Sequence, residues 1–83
     1  MQGRRLFESD PDWQTTVQPG DYWRDINGDW AVYPEHDFLG NLRNHTVVEH
    51  EEGTITASPS ILISHHDGRS WHGYLERGVW RKV

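Results

Sequence analysis

The sequence predicts an all-β domain: a small antiparallel meander of successive hairpins, forming a curled sheet or half-open barrel. Three observations lead there. Apolar and polar residues alternate through Ile61, Ile63, Trp71, Leu75 and Val79, the period of two that a strand with one buried face requires. The polar triplets His66-Asp67-Gly68 and Glu76-Arg77-Gly78 each end in glycine, as a three-residue hairpin loop with a left-handed last position favours. Asn27-Gly28 and Glu52-Gly53 mark the turns of two earlier hairpins. About six or seven short strands are expected.

Three-residue loops dictate the register of the C-terminal ribbon. They set His65 opposite Arg69, Ile63 opposite Trp71, Leu75 opposite Val79 and Trp71 opposite Val83. Ile61, Ile63, Trp71, Leu75, Val79 and Val83 then share one face. Leu62, Ser64, His72, Tyr74, Glu76, Trp80 and Lys82 take the other, with Tyr74 directly across from Trp80. A two-residue Asp67-Gly68 turn would pair Ile63 with His72 and scatter the apolar set.

Upstream, residues 1–20 read as an N-terminal arm and residues 21–83 as the β-hairpin core of a single domain. Residues 1–7 are expected to be loosely held. Asp10 can cap a helix with Pro11 at its first position, but Pro19-Gly20 stops it, so one short helical turn is the most expected. Residues 21–33 form a hairpin about Asn27-Gly28. A two-residue turn there groups Trp23, Trp30 and Val32 with Asp21 and Asp25, and turns Tyr22, Arg24, Ile26, Ala31 and Tyr33 the other way. Residues 34–44 show neither period and read as a long connection tucked down by Phe38, Leu39 and Leu42. In the third hairpin, residues 46–58, a two-residue turn groups Val48, Ile55 and Ala57, whereas a three-residue turn groups Val47, Ile55 and Ala57. Pro59 removes a ladder donor, so the chain must break or lie at an edge before Ile61.

Composition narrows the function. A chain of 83 residues is at the size where a hydrophobic core alone is marginal. With no Cys, disulfides and thiolate metal sites are excluded, which leaves aromatic packing, histidine-bound metal, oligomerisation or a partner surface as aids. Five Trp, three Tyr and two Phe must therefore supply much of the buried area. A net charge of -5 disfavours sequence-independent binding to phosphate backbones. No apolar run is long enough to span a membrane, and residues 1–7 lack the apolar segment of a secretory signal. A cytoplasmic protein is expected, and a homo-oligomer is left open.

Thr54-Ile55-Thr56-Ala57-Ser58-Pro59-Ser60-Ile61-Leu62-Ile63, followed by Trp71-His72-Gly73-Tyr74-Leu75-Glu76-Arg77-Gly78-Val79-Trp80, resembles a family of small uncharacterised bacterial and phage proteins. That family pairs a Thr-x-Thr-x-Ser-Pro-Ser-Ile strand with a His-x-aromatic-aliphatic-x-x-Gly hairpin. The resemblance covers residues 44–83 and implies a small β-rich fold without supplying an activity. Many members carry Cys immediately before the histidine, and some carry further Cys suggestive of a zinc site. Here that position is Trp71, and only His72 remains.

Candidate sites follow from side-chain chemistry. His65, His66 and His72 are the metal suspects, since neutral imidazoles bind zinc, but the ribbon register sends His65 and His72 to opposite faces and leaves His66 in a turn. No cofactor is called for. Ser64 with His65 and Asp67, or Ser70 with His72, has the residue types of nucleophilic catalysis. Adjacent strand residues, however, point apart. Glu49, Glu51 and Glu52 read as solubilising charge. The face carrying His72, Tyr74 and Trp80 has the composition of a protein-binding hot spot, or else is a second buried side of the sheet. The connection carrying Phe38, Arg43 and Asn44 is the other candidate surface. The function these residues imply is that of a small non-enzymatic protein-binding or regulatory accessory protein, and the resemblance implies a bacterium or phage as its source. The competing readings are a histidine-metal protein, with structural or hydrolytic zinc, and an acidic decoy for a nucleic-acid-binding host enzyme.

Overall fold

Alternating strands joined by tight turns make up the computed structural model, which describes residues 1–7 and 17–83. Eight strands lie among the described residues: β1 (Arg4–Leu6), β2 (Asp21–Arg24), β3 (Trp30–Glu35), β4 (Phe38–Asn41), β5 (Thr46–Glu49), β6 (Ile55–Ser64), β7 (Ser70–Glu76) and β8 (Val79–Lys82). There is no helix among those residues, and the helical turn expected from Asp10 lies outside them. The meander divides into two four-stranded sheets, β1-β2-β3-β4 and β5-β6-β7-β8. Every pairing is antiparallel except β1 with β2.

One turn follows the sequence expectation, and another takes one of the two registers left open for it. His65 closes on Arg69 through a 2.8 Å backbone bond, and Ile63 stands opposite Trp71, so Ile61 and Trp71 are buried on one face. His50 closes on Thr54 in the same three-residue geometry, which places Val47 opposite Ala57 and buries Ile55 and Ala57.

Two other turns correct it. Arg77 and Gly78 both have positive φ, 46° and 76°, the mark of a two-residue type I′ hairpin loop. Glu76 therefore pairs with Val79, Leu75 with Trp80 and Tyr74 with Arg81. The one-residue slip reverses the expected faces: Trp80 goes into the core at 3% exposure, while Val79 turns outward at 44%. Val83 is exposed, not packed opposite Trp71. At Asn27-Gly28 the reverse occurs. Only Gly28 is left-handed there, Asp25 closes on Asp29, and the loop has three residues. Tyr22 then pairs with Val32, and both are buried with Trp30.

Prolines are absorbed by shifts in register. Residues 34–44 are not a long connection: β3 runs through Pro34, a tight turn at His36-Asp37 follows, and β4 returns. The ladder slips between Val32 and Glu35, so a residue without an N–H sits where a bulge needs no donor. Likewise β6 is continuous through Pro59, but Ser58, Pro59 and Ser60 stand opposite Tyr74 alone.

Both sheets contribute to one core, with Tyr22, Trp30, Val32, Phe38 and Leu42 from the first meeting Ile55, Ile61, Trp71, Leu75 and Trp80 from the second. Trp71 and Trp80 meet edge to face at 5.5 Å. The sheets approach so closely at Gly40 that a Cβ there would lie 2.9 Å from Ile63 Cγ1.

Residues 1–7 are not loose. Gln2 bridges to Val79, Trp80 N–H donates to the Met1 carbonyl at 2.8 Å, and β1 then joins β2. The segment thus passes from the edge of one sheet to the edge of the other. Arg5 fastens it by donating to Glu49 at 2.7 Å and to the Gly53 carbonyl at 2.9 Å. Asp21, buried at 2% exposure, accepts from Arg4 Nε, Arg4 Nη2 and the Gln18 N–H, which offsets the cost of desolvating a carboxylate.

Candidate binding face

The outer side of the second sheet is built from cross-strand pairs. Leu62 lies beside His72, Tyr74 beside Arg81, and Glu76 beside Val79. All six point away from the core, because Trp71, Leu75 and Trp80 occupy the alternate positions. Leu62 is 62% exposed and Tyr74 40% exposed. The His72 and Tyr74 rings stand 6.3 Å apart, and the Arg81 guanidinium sits 5.0 Å from the Tyr74 ring centroid. The result is an apolar and aromatic strip ending in a cation.

Beside this strip the β6 bulge leaves a hollow of about 290 Å³, lined by Thr56, Ser58, Pro59, Ser60, Tyr74 and Glu76. His72 Nε2 lies 2.9 Å from Ser60 Oγ, and the Ser60 carbonyl lies 3.1 Å from His45 Nε2. Residues 54–63 and 71–80 therefore meet at Ser60 and His72. Sequence inspection missed this pair, and its signal was Pro59, the residue that bulges the strand and offsets Ser60. A hydroxyl within reach of an imidazole can exchange a proton. No third group orients the other ring nitrogen of His72 among the described residues, so a relay of nucleophile, base and orienter is not assembled.

The remaining suspects are dispersed. His65 Nε2 bonds to the Asp37 carbonyl, its ring packs 4.8 Å from that of Phe38, and His66 is an exposed turn residue. Among the described residues no three His, Asp or Glu side chains gather as metal ligands. Asp67 is held by the Arg69 backbone N–H and guanidinium, which together keep its carboxyl below the usual range. Glu49 is depressed by its hydrogen bond and charge contact with Arg5, and Glu52 by its hydrogen bond from Thr54.

Of the residues expected to bind, His72 and Tyr74 share the exposed strip. Trp80 does not: it faces inward, with Nε1 donating to the Gly20 carbonyl at 2.8 Å. Phe38 is also in the core, beneath His65 and Arg69. Arg43 and Asn44 are exposed on the β4–β5 connection, where Arg43 contacts Asp29 at 3.3 Å. Leu62, Val79 and Arg81 complete the strip in place of Trp80. No helix among the described residues is long and apolar enough to cross a membrane. Compared with known proteins, the chain matches no family model, no curated protein and no solved structure.

Proposed function

We propose that the chain is a small non-enzymatic accessory or regulatory protein of a bacterium or phage, acting in the cytoplasm by binding another protein through the outer face of β6, β7 and β8. The observation that carries this reading is the exposure of Leu62, Tyr74 and Val79 on one outer face of a sheet whose inner face is already filled by Trp71, Leu75 and Trp80. Apolar and aromatic side chains grouped on a rigid sheet, with polar neighbours at the rim, have the composition of a binding patch. The resemblance of residues 44–83 to small bacterial and phage proteins supports the source.

The test is affinity capture from bacterial lysate with wild type, Leu62→Asp, Tyr74→Ala and Arg43→Ala proteins, each checked for an unchanged melting transition. A partner retained by wild type and Arg43→Ala but lost with Leu62→Asp and Tyr74→Ala is expected. Capture that is indifferent to both strip variants removes the reading. Trp80→Ala is unsuitable for this comparison because it empties the core.

A further inference from the structure

Arg81 is set apart by its surroundings. Of eight Lys and Arg residues, Arg4, Arg5, Arg43, Arg69, Arg77 and Lys82 each stand within ion-pair distance of a carboxylate. Arg24 donates to the Gly28 carbonyl at 3.1 Å and lies over the Trp30 ring. Arg81 has no carboxylate partner among the described residues, and its guanidinium is laid on the Tyr74 ring with the N–H fork uncommitted. The neighbouring cross-strand pairs supply one acid, Glu76, and otherwise Leu62, His72 and Val79.

We propose that the partner presents an acidic and aliphatic peptide segment to this face, with a carboxylate received by the Arg81 fork and the aliphatic neighbour lying against Leu62 and Tyr74. The proposal rests on the binding reading above and names the chemistry of the partner. A guanidinium stacked on an aromatic ring is pre-oriented, so less side-chain freedom is lost when its planar fork meets a carboxylate bidentately. Tyr74 both stacks Arg81 and lines the hollow beside the bulge, so charge and apolar contact are offered within one side chain of each other.

The probe is the capped peptide acetyl-Glu-Leu-Glu-Leu-Glu-amide, with the Lys-for-Glu peptide as control, titrated by calorimetry at low ionic strength. Binding of the acidic peptide is expected to weaken about tenfold or more with Arg81→Gln and to weaken as salt is added. Arg81→Lys keeps the charge but loses the fork, and is expected to fall between wild type and Arg81→Gln. No binding of the acidic peptide, equal binding by Arg81→Gln, or equal binding of the Lys peptide overturns the proposal. So does sedimentation showing a dimer that Leu62→Asp dissociates, since the occupant would then be a second copy. A captured partner that survives Arg81→Gln but not Leu62→Asp overturns this inference alone, whereas one that survives both removes the binding face itself.

Discussion

Leu75 stands directly opposite Trp80 across the β7–β8 hairpin, both of them buried. That pairing decides which aromatic side chains hold the domain together and which remain outside. Trp80→Ala is expected to cost about 3–5 kcal/mol, enough to abolish a cooperative melt or lower its midpoint severely in a chain this small. Tyr74→Ala, on the outer face, is expected to stay within about 1 kcal/mol of wild type. Thermal melts followed by circular dichroism compare them. A larger loss for Tyr74→Ala would mean the register is wrong.

The same register depends on a loop of two left-handed residues. Gly78 is the stringent one, because a Cβ there would lie 2.9 Å from Thr54 Cγ2 and 3.0 Å from the Tyr22 hydroxyl, besides bearing a positive φ. Gly78→Ala is expected to destabilise by about 1–3 kcal/mol. Arg77→Asn, better suited to φ > 0, is expected to be neutral or slightly stabilising despite losing an exposed contact with Glu52. Urea midpoints measure both, and a neutral Gly78→Ala would contradict the two-residue turn.

Contact between the sheets is tested at Gly40. Gly40→Ala drives a methyl group toward Ile63 and is expected to cost about 1–3 kcal/mol through overpacking. Ile63→Ala in the same chain makes room for that methyl, so the double variant is expected to lose less than the sum of the two single losses. Strict additivity would place the two residues apart.

Stability should fall on the acid side through specific carboxylates. Glu49 and Asp67 have folded pKa values depressed by Arg5 and Arg69 respectively. A depressed carboxyl contributes stability that is present above its unfolded pKa and is lost as pH falls through the lower folded value. The decline is therefore expected from about pH 4 downward. Glu49→Gln should flatten part of that decline in pH-dependent melts, and an unchanged slope would show that the Arg5 contact does not persist in solution. Tyr22 has the opposite sense. Burial raises its phenol, so its contribution is complete below the unfolded value near pH 10 and is lost as pH rises through the higher folded one.

The alternation through Ile61, Ile63 and Trp71 and the triplet ending in Gly68 were sufficient to read one hairpin residue by residue, because only one register gathers its apolar side chains. Arg77-Gly78 and Asn27-Gly28 were not legible in the same way. A glycine closes both a two-residue and a three-residue loop, and each neighbouring strand offers large side chains on both faces. The choice was made by the space between the sheets, which takes Trp80 with its indole N–H on the Gly20 carbonyl, and Tyr22 against Val32 and Trp30. Residues 34–44 were hidden because Pro34 masks a strand that a bulge makes tenable.

Composition and local period by themselves determined that this chain is β-structured, built of hairpins and dependent on its aromatic residues, because turn chemistry and alternation are properties of neighbouring residues. Tertiary structure alone decided which side of each hairpin is inside, that residues 1–6 fasten one sheet to the other, and that Tyr74 and Arg81 face outward while Trp80 does not. A slip of one residue leaves local energetics almost unchanged yet exchanges the two faces, so only the packing of one sheet on the other could select between them.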